Sequence, residues 1–173
     1  MADTDTDKGL PVSCECGYIK FRTPSSKPLG MACCHCTTCR KQSASFFGTS
    51  VYFPASDMFP LPADLESKLS VFTHPADSGN TMHCYFCPKC GVRILHAAVP
   101  PDGSMRPAIS IKGGAIDSGI DWKETKPRHI YTRSAVMELP EQWECYETMA
   151  PAQYGPPPGD DEDDKKKKEE EEQ

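Results

Sequence analysis

Cys34-His35-Cys36-Thr37-Thr38-Cys39 places three thiols within six residues, and two thiol pairs flank it along the chain, Cys14-Glu15-Cys16 and Cys87-Pro88-Lys89-Cys90. Thiolates are soft donors suited to zinc, and cysteines one to three residues apart can grip one ion from a single tight turn. The three clusters therefore read as metal knuckles. Their arithmetic is uneven. Cys-x-Cys joined to Cys-x-x-Cys completes a tetrahedral shell of four sulfurs, whereas the middle cluster offers three and leaves a vacancy. An open position on zinc is where chemistry can take place.

Around these knuckles the apolar residues come in short runs rich in β-branched and aromatic side chains, cut by Pro, Gly, Asp and Ser. Hardly any sustained helical period is present, so the pattern predicts a mainly β fold of short antiparallel strands. Strands are expected over 17–22, 27–32, 46–53, 68–73, 82–86, 93–99, 108–112 and 143–147. Helix is expected only as a turn after Cys39, and 54–67 as an irregular surface loop. The 17 prolines argue against long helices and long central strands.

A chain of 173 residues has the length of one domain. No apolar run approaches the roughly 20 residues of a membrane span, and the start of the chain is polar and acidic where a secretory leader would be basic and apolar. A cytoplasmic protein follows as the expectation, its ten cysteines kept reduced and available for metal or catalysis rather than disulfides. Three segments are expected: a flexible N-terminus (1–9), a zinc-binding domain (10–149) and a disordered Pro/Gly-rich, charged tail (150–173). The tail holds nine acidic and four basic residues, so −5 of the formal charge of −6 resides there and the body is close to neutral. A neutral body without a basic stripe disfavours nucleic-acid binding.

Cys14-x-Cys16-Gly17 precedes a predicted strand and Cys87-x-x-Cys90-Gly91 lies at a turn between two more, so the pairs could meet across a sheet and enclose one zinc with no open position. Cys34, Cys36 and Cys39 could face a second ion whose fourth ligand is water or a substrate thiol. The alternative is a second structural zinc capped by Cys33, His35, His83 or Cys84. Spacing alone leaves this division open. His35, between two ligands, is expected to point away from the metal. Cys33, Cys84 and Cys145 read as buried thiols. Arg40 and Lys41 read as a solvated pair before they read as carboxylate anchors, and His129 as structural before acid or base.

Ser13-Cys14-Glu15-Cys16-Gly17, then Cys34-His35-Cys36-Thr37-Thr38-Cys39-Arg40-Lys41-Gln42-Ser43, then Phe86-Cys87-Pro88-Lys89-Cys90-Gly91 resemble, in order, the motifs of the glutathione-dependent formaldehyde-activating enzymes, a family that includes centromere protein V. Ile111-Lys112-Gly113-Gly114-Ala115-Ile116-Asp117 and Pro127-Arg128-His129-Ile130 resemble later blocks of the same family. The resemblance implies a β-tent type fold, a structural zinc on Cys14, Cys16, Cys87 and Cys90, and a catalytic zinc on Cys34, Cys36 and Cys39. It further implies carbon–sulfur lyase activity with glutathione as co-substrate, forming or cleaving S-hydroxymethylglutathione. The chain departs from the family pattern at Ser43-Ala44-Ser45, in the extra thiols Cys33 and Cys84, and in its tail. A noncatalytic zinc-stabilised module with an interaction tail is the rival reading, and a metallochaperone or redox sensor a third.

Overall fold

A computed structural model describes residues 8–122 and 124–151. The expected N-terminal segment and tail lie, but for their innermost residues, outside the described residues. The fold is mainly β. Strands β1 (Pro11–Ser13) and β2 (Lys20–Arg22) form a small antiparallel sheet. A seven-stranded sheet comprises β3 (Gly30–Cys34), β4 (Gly48–Pro54), β5 (Ser70–Pro75), β6 (Thr81–Phe86), β7 (Arg93–Val99), β8 (Ala108–Lys112) and β9 (Arg128–Ile130), in the order β5-β6-β7-β8-β4-β3-β9. All neighbours are antiparallel except β3 and β9, which are parallel. Two short helices, α1 (Thr37–Ser43) and α2 (Ala63–Glu66), complete the regular structure with three turns of 3₁₀ helix.

Successive residues of a strand face opposite sides, and that period of two divides the large sheet. Met31, Val51, Phe53, Leu95, Ala97, Ile109 and Ile111 project from one face and pack with Leu10, Val12 and Ile19 of the small sheet region into the main core. The small sheet is tied to the large one by the Val12–Ile116 bridge and by Asp117 N–H donating to the Pro11 carbonyl at 2.9 Å. The opposite face carries Ser50, Cys84, His96, Ser110 and Lys112, all buried. α1 leans on this second face beside β4. Gly48 permits the approach, since a Cβ there would meet Cys39 Cβ at 3.2 Å and Lys112 Nζ at 3.5 Å.

The strands over 93–99 and 108–112 are found at the expected bounds, and most others shift by one to three residues. Three expectations change. No strand covers 143–147; only Cys145 bridges His129, because Trp143 closes a turn onto the Pro140 carbonyl. β1 and β9, at three residues each, are too short to display an alternation. The segment 54–67 is not a surface loop, for Ala55, Met58, Leu61 and Leu65 join the core from a 3₁₀ turn and α2. Its prolines divide it into pieces short enough to send one apolar side chain inward every three or four residues.

Core and edge should respond differently to truncation. Ile111→Ala, at a fully buried site, should cost about 2–5 kcal/mol in a denaturant titration. Val71→Ala on edge strand β5, where the side chain is exposed, should change stability by less than about 0.5 kcal/mol.

Candidate metal centres

Two hairpin turns build the first centre. In the β1–β2 turn, Cys14 N–H donates to the Ile19 carbonyl at 3.1 Å and Gly17 N–H to the Cys14 carbonyl at 2.9 Å. The β6–β7 turn repeats this geometry, Cys87 N–H to Val92 and Gly91 N–H to Cys87. Both turns need a residue at positive φ, supplied by Gly17 (70°) and Gly91 (74°). The result gathers Cys14, Cys16, Cys87 and Cys90, whose sulfurs all lie within 4.8 Å of one another. Cys14 Sγ is 3.6 Å from Cys16 Sγ, which is 3.7 Å from Cys87 Sγ. Tetrahedral zinc with bonds near 2.3 Å requires sulfurs about 3.8 Å apart, so the donor set fits. Ile19 N–H points at Cys14 Sγ at 3.2 Å, an outer contact suited to a thiolate. Burial raises the Cys14 pKa, but that N–H and the neighbouring thiols outweigh it and leave it lowered. Cys14 and Cys87 belong to the main core, which seals the inner side of the centre.

The second centre forms where β3 runs into α1. Cys34 ends the strand, Cys36 is the N-cap of the helix and Cys39 lies in its first turn. Cys36 Sγ accepts the Cys39 N–H at 3.3 Å, the role that Ser or Asp takes at most helix starts. The three sulfurs fall within 4.8 Å of one another, and among the described residues no fourth Cys, His, Asp or Glu joins them. Ala32, Ile130, Tyr52 and Tyr131 close one side with apolar surface. Donated hydrogen bonds from Cys34 and then Cys39 hold the Cys36 pKa down at about 2. Cys34 is correspondingly raised, first by its contacts with Cys36 and Cys39 and then by burial. Cys39 stands at about 11, the lowering contact with Cys34 being outweighed by Cys36 and burial.

The suggested capping ligands are placed elsewhere. His35 turns away from the sulfurs, as expected, and its Nε2 lies 2.9 Å from His129 Nδ1 in a buried pair. His129 stacks on Trp143 with ring centroids 4.2 Å apart, so it is a packed residue held off the cluster. Cys33 and Cys84 are buried thiols, whereas Cys145 is exposed, because the strand expected to bury it is absent. Arg40 is not a solvated cation; it donates to the Ser134 carbonyl at 2.7 Å and pins α1 to the segment after β9. Lys41 is exposed.

Lys112 is the residue that sequence reasoning missed. The residue is 9% exposed, and its ammonium bonds Ser50 Oγ at 3.3 Å and acts on Cys39 electrostatically. Lys112 follows Ser110 on the polar side of β8, opposite Ile109 and Ile111. α1 covers that face, and only the contact between distant segments reveals it.

Both centres should take up zinc by releasing protons. Because Cys34 and Cys39 are held protonated near neutrality, zinc titrations of the three-cysteine centre should show much weaker binding at about pH 6 than at about pH 8. The buried histidines act on the fold in the same direction. Burial lowers His35, His129 and His96 below the ordinary imidazole value. The unfolded chain then binds protons that the folded one refuses, so stability present above about pH 6.5 should fall as pH drops below it. Denaturant midpoints measured across that range check the sign, and an unchanged midpoint would contradict it.

A sequence profile described as glutathione-dependent formaldehyde-activating enzyme matches residues 10–134, which include all seven clustered cysteines, Lys112 and His129. The chain belongs to the family of glutathione-dependent formaldehyde-activating enzymes.

Proposed function

We propose that the protein is a zinc-dependent carbon–sulfur lyase that makes or cleaves the adduct of glutathione, or a similar thiol, with a small carbonyl compound such as formaldehyde. One observation carries the reading: the Cys14, Cys16, Cys87, Cys90 set is complete at four sulfurs, while the Cys34, Cys36, Cys39 set stops at three. The first set then serves the fold and the second the reaction. A zinc ion on the second set would supply one free position for the substrate sulfur and hold it as a thiolate.

The chain's own residues supply the remainder. Three thiolates and an incoming fourth concentrate negative charge at the start of α1, and the Lys112 ammonium beside Cys39 offsets part of it. The Cys39 N–H donated to Cys36 Sγ removes electron density from that sulfur and fixes its direction. Tyr52, Tyr131, Ala32 and Ile130 exclude water from one side. In cleavage the carbon–sulfur bond breaks with its electron pair on sulfur, the adduct hydroxyl becomes the carbonyl, and its proton passes to solvent or to the leaving thiolate. Addition runs the same steps in reverse.

The family match supports glutathione as the thiol. All ten cysteines are unpaired, which suits a reducing compartment such as the cytoplasm, and among the described residues no helix is long and apolar enough to cross a membrane.

The division of roles is tested by two substitutions. Cys87→Ser should lose one zinc and destabilise the fold by several kcal/mol, on the order of a structural metal's contribution. Cys36→Ser should lose the other zinc, keep the thermal transition within a few degrees, and lower zinc-dependent cleavage of S-hydroxymethylglutathione at least about 100-fold. Two zincs equally resistant to glutathione and chelator, with no turnover of any thiol adduct, would point instead to a noncatalytic module.

A further inference from the structure

On the polar face of the large sheet, a second group of side chains converges around the Cys84 thiol. Gln42 reaches it from α1, its Nε2 at 3.8 Å from the sulfur, and Arg93 reaches it from β7. His96 is the direct cross-strand neighbour of Cys84, and Lys112 lies one strand further along the same face. Three atoms of this group are buried without a hydrogen-bond partner: Gln42 Oε1, Arg93 Nη1 and His96 Nε2. Native interiors leave such atoms unpaired only rarely, and three together mark a place where something else completes the bonding. His96 itself is 7% exposed.

The charge balance says what that partner is. Arg93 and Lys112 bring two cations, and among the described residues the ion pairs join Arg128 to Glu144 and Arg133 to Asp77, not either of these. Arg93 lies instead over the rings of Phe72 and Phe86, with its carbon Cζ 5.3 and 5.4 Å from their centroids. Aromatic contacts use none of the guanidinium N–H groups, whose fork suits the two oxygens of a carboxylate. A β-bulge puts it there. Tyr85 pairs with Leu95 and Phe86 with Arg93, so Ile94 is the extra residue and Arg93 emerges on the face of Cys84 and not on the core face. The Gln42 amide can turn its nitrogen to the same ligand, and a neutral His96 can donate from Nε2.

We propose that Arg93, His96, Gln42 and Lys112 form a carboxylate-binding subsite next to the three-cysteine centre, so that the substrate is a sulfur compound whose carboxylate is held here while its sulfur reaches Cys34, Cys36 and Cys39. Lys112 links the two, lying beside Cys39 and on the same face as His96. The subsite rests on the proposed thiol-adduct reading for the position of the sulfur, but its occupancy can be measured without turnover. The carboxylate belongs either to the thiol or to the carbonyl fragment, and unreactive thioethers separate these sources.

Calorimetric titration of the zinc-loaded, full-length protein would use S-methylglutathione, its dimethyl ester, and S-carboxymethylcysteamine, whose single carboxylate is on the carbon side of sulfur. At least one carboxylate-bearing thioether should bind about tenfold or more tighter than the ester, and which one does so identifies the source. Arg93→Gln should abolish that preference with zinc content and thermal transition unchanged, and Gln42→Leu should reduce it. Equal binding of acid and ester, or a preference untouched in both variants, would overturn the subsite and leave buried water as the partner of these atoms. Loss of turnover with the preference intact would instead count against the lyase reading alone.

Discussion

A sheet buried on both faces must keep two chemistries apart, and the strict alternation of its strands does so here. Ile109 and Ile111 of β8 enter the main core, while Ser110 and Lys112 between and after them belong to the face of the three-cysteine centre. The same partition runs across β4, where Val51 and Phe53 oppose Ser50, and across β7, where Leu95 opposes His96. A slip of one residue in any of these strands would exchange apolar for polar contacts along its whole length. Burial of the aliphatic face thus fixes the register of the polar one, and the placement of the reactive groups follows from the packing of residues that take no part in the chemistry.

The two centres stand in different relations to that sheet. The four-cysteine set joins two turns, one from each sheet, and its inner sulfurs are continuous with apolar side chains. It is a clasp between the sheets. The three-cysteine set belongs to one continuous stretch at the end of β3, and its neighbours are a helix start and a buried ammonium group. A clasp tolerates no vacancy without loosening the join, whereas a local loop can leave one position open because the fold around it is held by other contacts.

Much of this was legible in the sequence for specific reasons. Cysteine spacing is a local signal, and the turns it predicts formed with the glycines where the backbone needed them. The apolar runs 93–99 and 108–112, each set off by Pro or Gly, appear at their expected ends. What was not legible depends on contacts between distant segments. Lys112 drew no role from the sequence because nothing in its own strand announces that α1 covers it. Arg93 drew none either, because a bulge is a mismatch between two strands. Residues 54–67 read as surface because prolines hide the spacing of four buried apolar side chains. His129 is packed against Trp143, and its pairing with His35 across 94 residues could only emerge from the fold.

The bulge at Ile94 makes residue count, as well as residue type, a constraint on this chain. Between the Cys90 knuckle and His96, one position more or fewer would rotate Arg93 or His96 out of its half of the sheet, even if every remaining side chain were kept. The mostly exposed turn joining β5 to β6 at 76–80 lies apart from both groups, and added residues there can bulge into solvent while the paired strands keep their register. Across 90–96 the chain is therefore bound in length as well as in residue type, at Cys90, Gly91, Arg93 and His96, whereas 76–80 carries neither burden.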